Sequence, residues 1–471
     1  MFNLPITSAI LLLLLASSAS VAQQIGTLIP ETHPPFQWTQ CTAAAANNLK
    51  PCHSVNASLV LDENYRWLHQ TNSYRSCWEN DYFQWNPWVC DSAANCTATC
   101  ALEGGDYNST VFGTTLKAPR NDTSAVAVKF VNLLDYAKTI GSRLFVMASE
   151  TEYEMFTLLG NELAFDVELG SVGCGVKASL YFVAMEKDGG MARFPTNVAG
   201  ARYGTGYCDA SCGRGRRFVG GKANFEGWDS SEKDPLFGSG LGKNGACCPE
   251  FDVWNANSHS ASMSSHSCPK DGYQVCEGLD CDAYHISPDD SRYRAGCDLW
   301  GCSFNPYRMG VKGFYGKGKQ VDTSKKFTVV TRFEETQVTQ FFIQDGKKIE
   351  LPAPALDGLP KHGGLSADVC TKESSVFNER NMFAENGGWK RHIELLSTPM
   401  VLAMSITDDN IYHNLWLDSA YPIDDSGAAG RVRGDCPIED NDPLTVENMN
   451  RNAKVSWSNI RFGPIGSTGS W

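Results

Sequence analysis

Apolar and polar residues alternate along many segments of this 471-residue chain, whereas the spacing of amphipathic helices is scarce. Residues 163–169 direct their large apolar side chains to one side and their acids to the other, as in a strand with one buried face. Residues 327–333 repeat this pattern, and residues 341–349 form a predicted hairpin that turns at Asp345-Gly346. Residues 400–406 form a more continuous apolar run, as in a strand buried on both faces. The pattern predicts an all-β sandwich with long loops.

The N-terminal residues predict a secretion signal. An apolar run at residues 10–16 precedes Ser20-Val21-Ala22, the kind of small-x-small site that signal peptidase cuts. We therefore assign residues 1–22 to a signal peptide and start the mature protein at Gln23. The run is too short to span a bilayer, so we expect a secreted, extracellular protein with no membrane partner; a retained anchor is the competing interpretation. Sequons for N-glycosylation agree with secretion, although they also arise by chance: Asn56, Asn95, Asn108 and Asn121.

Composition narrows the class of protein further. The 18 cysteines are an even number, which an oxidising compartment would store as disulfides. Zinc is the competing interpretation, but no close cysteine pair forms a C-x2-C doublet with a matching partner, so we predict no metal and no cofactor. The net charge of −13 argues against nucleic acid, whose phosphates require basic patches. No linker divides residues 23–471, which we assign to one domain and expect to be a monomer.

Long polar stretches that are rich in cysteine lie between the predicted strands. Residues 270–293 are the clearest example. We expect ordered loops there, because disulfides would fix them. Loops are also where a sandwich carries its function.

Residues 247–258 read Cys-Cys-Pro-Glu-Phe-Asp-Val-Trp-Asn-Ala-Asn-Ser. This segment resembles the catalytic strand of glycoside hydrolase family 7, which runs Cys-Cys-x-Glu-x-Asp-x-Trp-Glu-Ala-Asn-Ser. The resemblance covers nearly the whole mature chain, with ordered motifs at residues 31–35, 64–67, 157–162, 203–209, 305–308 and 462–466. It implies a concanavalin-like β-jelly roll sandwich whose long, disulfide-fixed loops enclose a groove for cellulose. We expect no separate carbohydrate-binding module.

The same resemblance implies a partner for every cysteine. Cys174 and Cys436 would close the longest loop and restrict the unfolded chain most, by about a few kcal/mol in the loop-entropy model. The implied pairs are Cys41/Cys52, Cys77/Cys100, Cys90/Cys96, Cys174/Cys436, Cys208/Cys248, Cys212/Cys247, Cys268/Cys297, Cys276/Cys281 and Cys302/Cys370.

The family's retaining reaction uses two carboxyl groups about 5 Å apart, one as nucleophile and one as acid/base. By resemblance Glu250 is the nucleophile and Asp252 supports it, and residues i and i+2 of a strand share a face. The family's acid/base Glu corresponds to Asn255 here, and a carboxamide has no carboxylic proton to transfer and cannot act as a base. This loss predicts turnover slower by roughly 10²- to 10⁴-fold, or about 3 to 5 kcal/mol of barrier.

Two histidines are candidates to replace the lost acid. His266 matches a family histidine near the leaving-group side, whereas His259 has no counterpart in the family. For both residues a structural or surface histidine is the competing interpretation, because their distance from the scissile bond is not given by sequence. Three outcomes are therefore open: a very slow hydrolase, a hydrolase that recruits another acid, and a binding protein on an enzyme's fold.

Aromatic and polar residues at matched positions are candidates for sugar binding, because glucose rings stack on aromatic faces while polar groups hold the hydroxyls. Tyr65 and Trp67 match positions near the tunnel entrance, and Trp416 matches a platform on the leaving-group side. Matched polar positions are Arg143, Tyr181, Asp209, Arg292, Arg308 and Arg433.

This chain departs from the family at three further positions near the cleavage point. Thr407 stands where the family usually has a Trp. Arg292 and Arg433 fit the product site, but the customary acidic partners of that site appear here as Trp300 and Ser303. The loss of these two acidic partners reduces the affinity expected for cellobiose.

Loop lengths bear on the mode of action. Residues 227–246 and 281–297 form loops as long as those of tunnel-forming cellobiohydrolases, whereas open-cleft endoglucanases have shorter ones. The loop at residues 77–90 adds aromatic residues that either widen carbohydrate contact or pack the loop: Trp78, Tyr82, Phe83, Trp85 and Trp88. The first hypothesis is an impaired secreted β-1,4-glucan hydrolase of the cellobiohydrolase type. The second is a catalytically silent protein that binds cellulose or cello-oligosaccharides on the same fold.

Overall fold

The computed structural model describes residues 22–43, 52–80, 82–115, 125–133, 138–232, 240–281, 296–423 and 427–469. Its strands are β1 (Gln24–Ile25), β2 (Pro35–Cys41), β3 (Cys52–Leu61), β4 (Leu68–Gln70), β5 (Trp78–Glu79), β6 (Gln84–Trp85), β7 (Cys100–Leu102), β8 (Val111–Thr115), β9 (Ala125–Lys129), β10 (Val131–Leu133), β11 (Lys138–Ile140), β12 (Ser142–Ser149), β13 (Glu152–Tyr153), β14 (Met155–Phe156), β15 (Asn161–Glu168), β16 (Lys177–Val183), β17 (Phe218–Val219), β18 (Lys222–Ala223), β19 (Asn244–Cys247), β20 (Glu250–Ala256), β21 (Ala261–His266), β22 (Gln274–Glu277), β23 (Cys302–Phe304), β24 (Tyr315–Gly316), β25 (Val321–Asp322), β26 (Phe327–Phe333), β27 (Gln337–Gln344), β28 (Lys347–Glu350), β29 (Leu365–Ser366), β30 (Met400–Thr407) and β31 (Lys454–Pro464). Its α-helices are α1 (Ala93–Thr99), α2 (Tyr107–Thr110), α3 (Ala367–Phe377), α4 (Met382–Glu385), α5 (Gly388–Ser397), α6 (Leu415–Asp418) and α7 (Pro443–Met449), and short 3-10 helices lie at Glu63–Tyr65, Ala201–Tyr203, Gly278–Asp280 and Ile438–Asn441.

Two antiparallel sheets form a sandwich. The first, which we call the cleft sheet, has the strand order β3-β12-β30-β16-β20-β21-β23. The second, the outer sheet, has the order β28-β27-β26-β15-β31-β9-β8. Strand β2 pairs with both β3 and β31 and so joins the two sheets along one edge. The predicted all-β jelly-roll sandwich is confirmed.

The core between the two sheets is rich in aromatic rings. Trp254 of β20 packs edge-on against Phe165 of β15 with ring centroids 6.1 Å apart, and Phe251 packs against Phe333 of β26 at 5.3 Å. All four side chains are at most 1% exposed. Burial of apolar surface stabilises by about 25 cal/mol per Å², so each ring contributes several kcal/mol. These contacts fix one face of β20 and thereby hold its opposite face in place.

The predicted strands agree with the structure, whereas one helix was not predicted. Residues 327–333 form β26, and β27 and β28 make the hairpin that turns at Asp345-Gly346. Helix α3 was not predicted, although Ser366 caps its first turn by accepting from the Val369 N–H and Asn378 ends it with a left-handed φ of 54°. Its apolar positions are too sparse for the periodicity to stand out.

Nine disulfide bonds join the same pairs that the resemblance implies, and none of the described cysteines is free. The Cys174–Cys436 bond spans 262 residues. The nine bonds are Cys41–Cys52, Cys77–Cys100, Cys90–Cys96, Cys174–Cys436, Cys208–Cys248, Cys212–Cys247, Cys268–Cys297, Cys276–Cys281 and Cys302–Cys370. Two of them, Cys208–Cys248 and Cys212–Cys247, tie the segment before β20 to the loop that carries Asp209.

Two cysteine-rich regions contain regular structure that the sequence did not predict, although the cysteine pairing agrees. Residues 270–293 were expected to be a loop, but Gln274–Glu277 form β22, which pairs with β19, and a 3-10 helix follows at Gly278–Asp280 before Cys281, which bonds to Cys276. Cys370 lies in the unpredicted helix α3 and bonds to Cys302 of β23. The reason is that pairing with β19 and the cap at Ser366 depend on contacts that cysteine spacing does not encode.

Membrane insertion has no support among the helices. Within the described ranges, no helix combines the length and the apolar character needed to cross a membrane.

Candidate active site

A cleft of about 1110 Å³, a volume that includes its open mouth, lies on the face of the cleft sheet that points away from the core. Side chains of β12, β16, β20, β21 and β30 line it, together with the loops that follow β16, β21 and β30. The cleft brings together nine of the predicted site residues: Arg143, Tyr181, Asp209, Glu250, Asp252, Asn255, His266, Trp416 and Arg433.

Strand β20 presents its three motif residues to the cleft because it contains a β-bulge. Asp252 lies opposite Ser264 of β21, and Asn255 lies opposite Ser262, so three steps along β20 match two steps along β21. A regular strand alternates sides at each residue, which would turn residue 255 away from the cleft. The extra residue, Val253, returns Asn255 to the cleft face.

Asp252 is the centre of a hydrogen-bond network. Its Oδ2 accepts from Asn255 Nδ2 at 2.7 Å and from Ser264 Oγ at 3.0 Å, and it lies 3.2 Å from His266 Nε2. Burial alone would raise the pKa of Asp252, but the hydrogen bond and positive charge of His266 outweigh burial and hold this pKa well below its usual range. Asp252 is therefore an anion across the neutral range.

Glu250 shares the cleft with Asp252 but has the opposite proton affinity. Its Oε2 accepts from the Ala210 N–H at 3.0 Å. Burial, followed by the negative charges of Asp252 and Asp209, raises the pKa of Glu250 well above its ordinary value. Two interacting carboxyl groups titrate as a pair, and the more tightly held proton of this pair is on Glu250.

His266 supplies the positive charge of the site. Its Nδ1 donates to the Asp298 carbonyl oxygen at 2.9 Å, while its Nε2 lies near Asp252 and 2.9 Å from Ser264 Oγ. Burial lowers the pKa of His266, but the hydrogen bond and charge of Asp252 raise it to about 9. Both ring nitrogens are thus engaged by the protein, and the imidazole is a cation at neutral pH.

Asn255 is held at both ends of its carboxamide. Ser179 of β16 donates its hydroxyl to Oδ1 at 2.6 Å, and Nδ2 donates to Asp252. The side chain is 1% exposed. An acceptor on one side and a donor on the other fix which atom is nitrogen and which is oxygen. The amide therefore adds a hydrogen bond to Asp252 but no charge and no transferable carboxylic proton.

A second buried network underlies the neighbouring part of the cleft. Arg143 donates through Nε to the Tyr181 hydroxyl at 2.7 Å and forms an ion pair with Asp62 at 2.7 Å. Its guanidinium also lies 3.7 Å from the ring centroid of Tyr207. Thr407 lies close by on β30, and its hydroxyl is buried with no hydrogen-bond partner among the described residues. These contacts hold polar groups rigidly in the lining of the cleft.

The cleft lining also includes a buried cation and several aromatic rings. Arg433 is 8% exposed and forms a 3.2 Å ion pair with Glu379, and burial lowers its pKa to about 9. Trp300 stacks on Tyr421 with ring centroids 5.4 Å apart. At Trp416, the Lys177 amine lies 5.3 Å from the ring centroid. These residues combine aromatic faces with positive charge.

Other predicted residues lie outside the residues that line the cleft. Arg308 donates instead to Glu373 at 2.8 Å and to Glu379 at 2.6 Å. His259 pairs with Asp435 at 2.8 Å. The remaining two of this group do not line the cleft either: Tyr65 and Trp67. Arg292 and sequon Asn121 fall outside the described residues, as does nearly all of the predicted signal peptide.

Sequence reasoning missed four polar residues that hold the site together. Ser179 and Ser264 bind Asn255 and Asp252, and the Asp298 carbonyl binds His266. Lys177 contributes positive charge near Asp252. The alternation of Ser264 with His266 on β21 was an available signal for one of them. The others lie in segments distant in sequence from the residues they contact. The described groups that could hold a metal consist of disulfide cysteines with at most one histidine.

Both the sequence and the fold of this chain are similar to those of known proteins. The family model for glycosyl hydrolase family 7 matches residues 25–469. The chain belongs to glycosyl hydrolase family 7. A family 7 cellobiohydrolase from Melanocarpus albomyces, solved with cellotetraose, is 48% identical with a TM-score of 0.86, and the match covers 95% of this chain and 100% of that one. A Daphnia pulex cellobiohydrolase of the same family is 35% identical with a TM-score of 0.87 over the same shares of both chains.

Both types of family 7 enzyme are among the similar structures. The Humicola insolens endocellulase is 28% identical with a TM-score of 0.75, and the match covers 95% of this chain and 100% of the endocellulase. The two cellobiohydrolases therefore superpose better than the endocellulase does. Family 7 membership confirms the resemblance and supports a cellulase-type glycoside hydrolase.

Proposed function

We propose that this protein is a secreted β-1,4-glucan hydrolase of the cellobiohydrolase type, with residues 23–471 as its catalytic domain, and that it works without the usual acid/base. Glu250 is the nucleophile in this proposal and Asp252 its support. The observation that carries it is the position of Asn255, which lies on the cleft face of β20 and donates to Asp252 at 2.7 Å. Family membership supports the hydrolase over a silent binding protein. The higher TM-scores of the cellobiohydrolases support the cellobiohydrolase type over the endocellulase type.

The first chemical step depends on Glu250 and Asp252. Ionised Glu250 attacks the anomeric carbon, and the bond from that carbon to the glycosidic oxygen breaks. Asp252 keeps its charge because His266 and Ser264 bind it, and it holds Glu250 in place. The leaving sugar alkoxide needs a proton, which the carboxamide of Asn255 has no means to supply. Cellulose is therefore a slow substrate, and an aryl cellobioside, whose phenolate leaves unaided, is a faster one.

His266 has a positioning role in this proposal rather than the role of the missing acid. Its two ring nitrogens are occupied by Asp252, Ser264 and the Asp298 carbonyl, so neither N–H points to a leaving oxygen. His259 pairs with Asp435 and does not line the cleft. Arg143, Tyr181 and Asp209 line the cleft and are the candidates to hold sugar hydroxyls. Trp416 is the candidate platform for the leaving sugar.

The test uses an aryl cellobioside with and without azide. Without a base to activate water, breakdown of the glycosyl-enzyme limits turnover, and azide attacks without such help. We expect azide to accelerate phenol release and to yield β-cellobiosyl azide, identified by NMR, because two inversions retain the configuration. Cellobiose release from cellulose should be much slower. Phenol release insensitive to azide, together with rapid hydrolysis of cellulose, would show that another group acts as acid/base. No phenol release at all would favour the silent binding protein.

A further inference from the structure

The exposed aromatic residues of this protein are concentrated in one segment. Tyr74 is 77% exposed, Tyr82 67%, Phe83 38% and Trp88 82%. Among the described residues, every other Phe, Tyr or Trp whose exposure is known is buried or half-buried. Single exposed apolar residues are ordinary, but four aromatic residues within fifteen positions are not.

The segment is braced from within by other rings of the same loop. Trp78 and Trp85 pair across the β5–β6 hairpin with their ring planes at 82°, and Trp85 packs on Phe218 at 5.9 Å. Trp228 packs edge-on against Trp78 at 5.0 Å. Two of the five aromatic residues that the sequence adds to this loop therefore pack it, and they account for the interior of the segment. Tyr82 and Trp88 remain on its surface.

Covalent and backbone bonds fix this surface. Disulfides Cys77–Cys100 and Cys90–Cys96 close the segment at two places. The turn that carries Trp88 is held by Asn86, whose Oδ1 accepts from the Trp88 N–H at 3.0 Å and whose Nδ2 donates to the Ser76 carbonyl at 3.0 Å. A rigid ring loses little conformational entropy when it binds a partner.

Two observations indicate the chemistry of the partner. Tyr74 stacks on Trp67, with centroids 6.2 Å apart and planes at 23°, and Trp67 is at the position that the family resemblance assigns to the groove entrance. Residues 70–90 contain only three charged side chains, and their other polar residues are mostly Asn, Gln and Ser, which bind hydroxyls. A neutral polymer whose units have apolar faces and hydroxyl edges matches both.

We propose that Tyr74, Tyr82 and Trp88 form a second glucan-binding surface outside the cleft, which attaches the enzyme to insoluble β-1,4-glucan. The substrate class rests on the proposed function, but attachment itself needs no bond cleavage. The stacked Trp67–Tyr74 pair joins this surface to the position that the family resemblance assigns to the groove entrance. A second copy of this chain is the alternative occupant, which the test below distinguishes.

The test compares adsorption to microcrystalline cellulose with binding of soluble cellohexaose. We expect the triple variant Tyr74→Ala, Tyr82→Ala, Trp88→Ala to lower the partition constant for cellulose by about tenfold or more, because three ring contacts are lost. Calorimetry should give a cellohexaose affinity within about twofold of wild type, since a short oligomer occupies the cleft. Adsorption is measured at 4 °C with cellohexaose saturating, which removes the contribution of the cleft.

The matched control removes equally exposed apolar residues elsewhere. Leu279 is 67% exposed and Leu444 69%, and the double variant Leu279→Ala, Leu444→Ala should adsorb like wild type. An unchanged partition constant in the triple variant would overturn the proposal. So would a wild-type dimer, seen by analytical ultracentrifugation, that the triple variant converts to monomer. Failure of the proposed function is distinguishable, because it appears as absent aryl cellobioside turnover with adsorption intact.

Discussion

A buried histidine lies on each side of strand β21, and the two histidines differ in charge. One is His266 of the strand itself, and the other is His392 of helix α5, which packs against the strand. His266 points into the cleft, whereas His392 lies on the other side, where its Nδ1 is 2.7 Å from Ser265 Oγ. His266 is 8% exposed and His392 is not exposed at all. The pKa of His266 is raised to about 9, and that of His392 is lowered to about 3.

The difference comes from the partners rather than from burial, because burial opposes the charged form of both rings. His266 meets the carboxylate of Asp252, whose hydrogen bond and charge more than compensate. His392 meets rings instead: Trp389 at 4.3 Å and Phe251 at 5.9 Å. Of these two buried histidines, the one that faces an ionised partner keeps its charge, and the one that faces aromatic rings does not.

The same rule separates the two carboxyl groups of the cleft. Asp252 faces the His266 cation and stays ionised, while Glu250 faces two other acids and holds its proton more tightly. Asn255 adds a neutral hydrogen bond at the position that the resemblance assigns to the family's acid/base.

Replacing Glu250 by Gln removes the proposed nucleophile with little change of shape. The amide oxygen still accepts from Ala210, but a neutral amide does not attack the anomeric carbon. We expect aryl cellobioside turnover to fall by about 10⁴-fold or more. Cellohexaose binding, measured by calorimetry, should change by less than about threefold, which excludes misfolding. Residual turnover near one tenth of wild type would assign the nucleophile elsewhere.

Replacing Asn255 by Glu should restore the missing acid. The new carboxyl group would lie beside Asp252 and near Glu250, whose charges favour its protonated form, as an acid requires. We expect cellobiose release from cellulose to rise by roughly 10²- to 10⁴-fold. Asn255→Gln is the matched control, because it has the same length and no acidic proton, and it should give no increase. Equal rates for wild type and Asn255→Glu would contradict the impaired-acid proposal.

The position of Asn255 shows what sequence could and could not provide. The motif and the i, i+2 spacing placed Glu250 and Asp252 on one face, and the structure agrees. Alternation alone would put residue 255 on the opposite face, because nothing in Phe-Asp-Val-Trp-Asn marks Val253 as a bulge. Only the matched motif gave the correct side.

The partners of the site were less accessible to sequence than its motif. Ser179 is 76 residues from Asn255, and their hydrogen bond depends on β16 and β20 lying side by side. Strand pairing of this kind has no local signal. The same applies to the aromatic loop, where composition gave the rings but not which of them pack inward. Trp85 is 4% exposed and Trp88 is 82% exposed, three residues apart.

Replacing His266 by Asn tests the charge on the cleft face through the pH profile of kcat/KM. Turnover needs ionised Glu250 and is supported by protonated His266, so wild-type activity rises with pH and falls again near pH 9. Without the cation the pKa of Glu250 rises further, because His266 lowers it in the wild type. We expect the acid limb to move to higher pH and the alkaline limb near pH 9 to disappear.

The control for this change is His259→Asn, which removes a histidine that pairs with Asp435 outside the cleft. Its pH profile should match that of the wild type. An alkaline limb that persists in His266→Asn would assign that limb to another group, and the positioning role of His266 would be wrong.

Replacing His392 by Leu tests the histidine on the core side of β21, and the quantity measured is stability rather than activity. In the unfolded chain His392 gains a proton below its ordinary pKa of 6.5, but in the folded protein it does so only below about 3. The unfolded state therefore binds one more proton in that window, and this residue lowers the free energy of unfolding by about 1.4 kcal/mol for each pH unit of acidification. Denaturant unfolding between pH 6 and 4 should show a slope of the free energy of unfolding against pH that is smaller by about that amount in His392→Leu.

The exposed His53 provides the control, since His53→Leu should leave the slope unchanged. Equal slopes for wild type and His392→Leu would mean that His392 is charged in the folded core, and the contrast between the two faces of β21 would be lost.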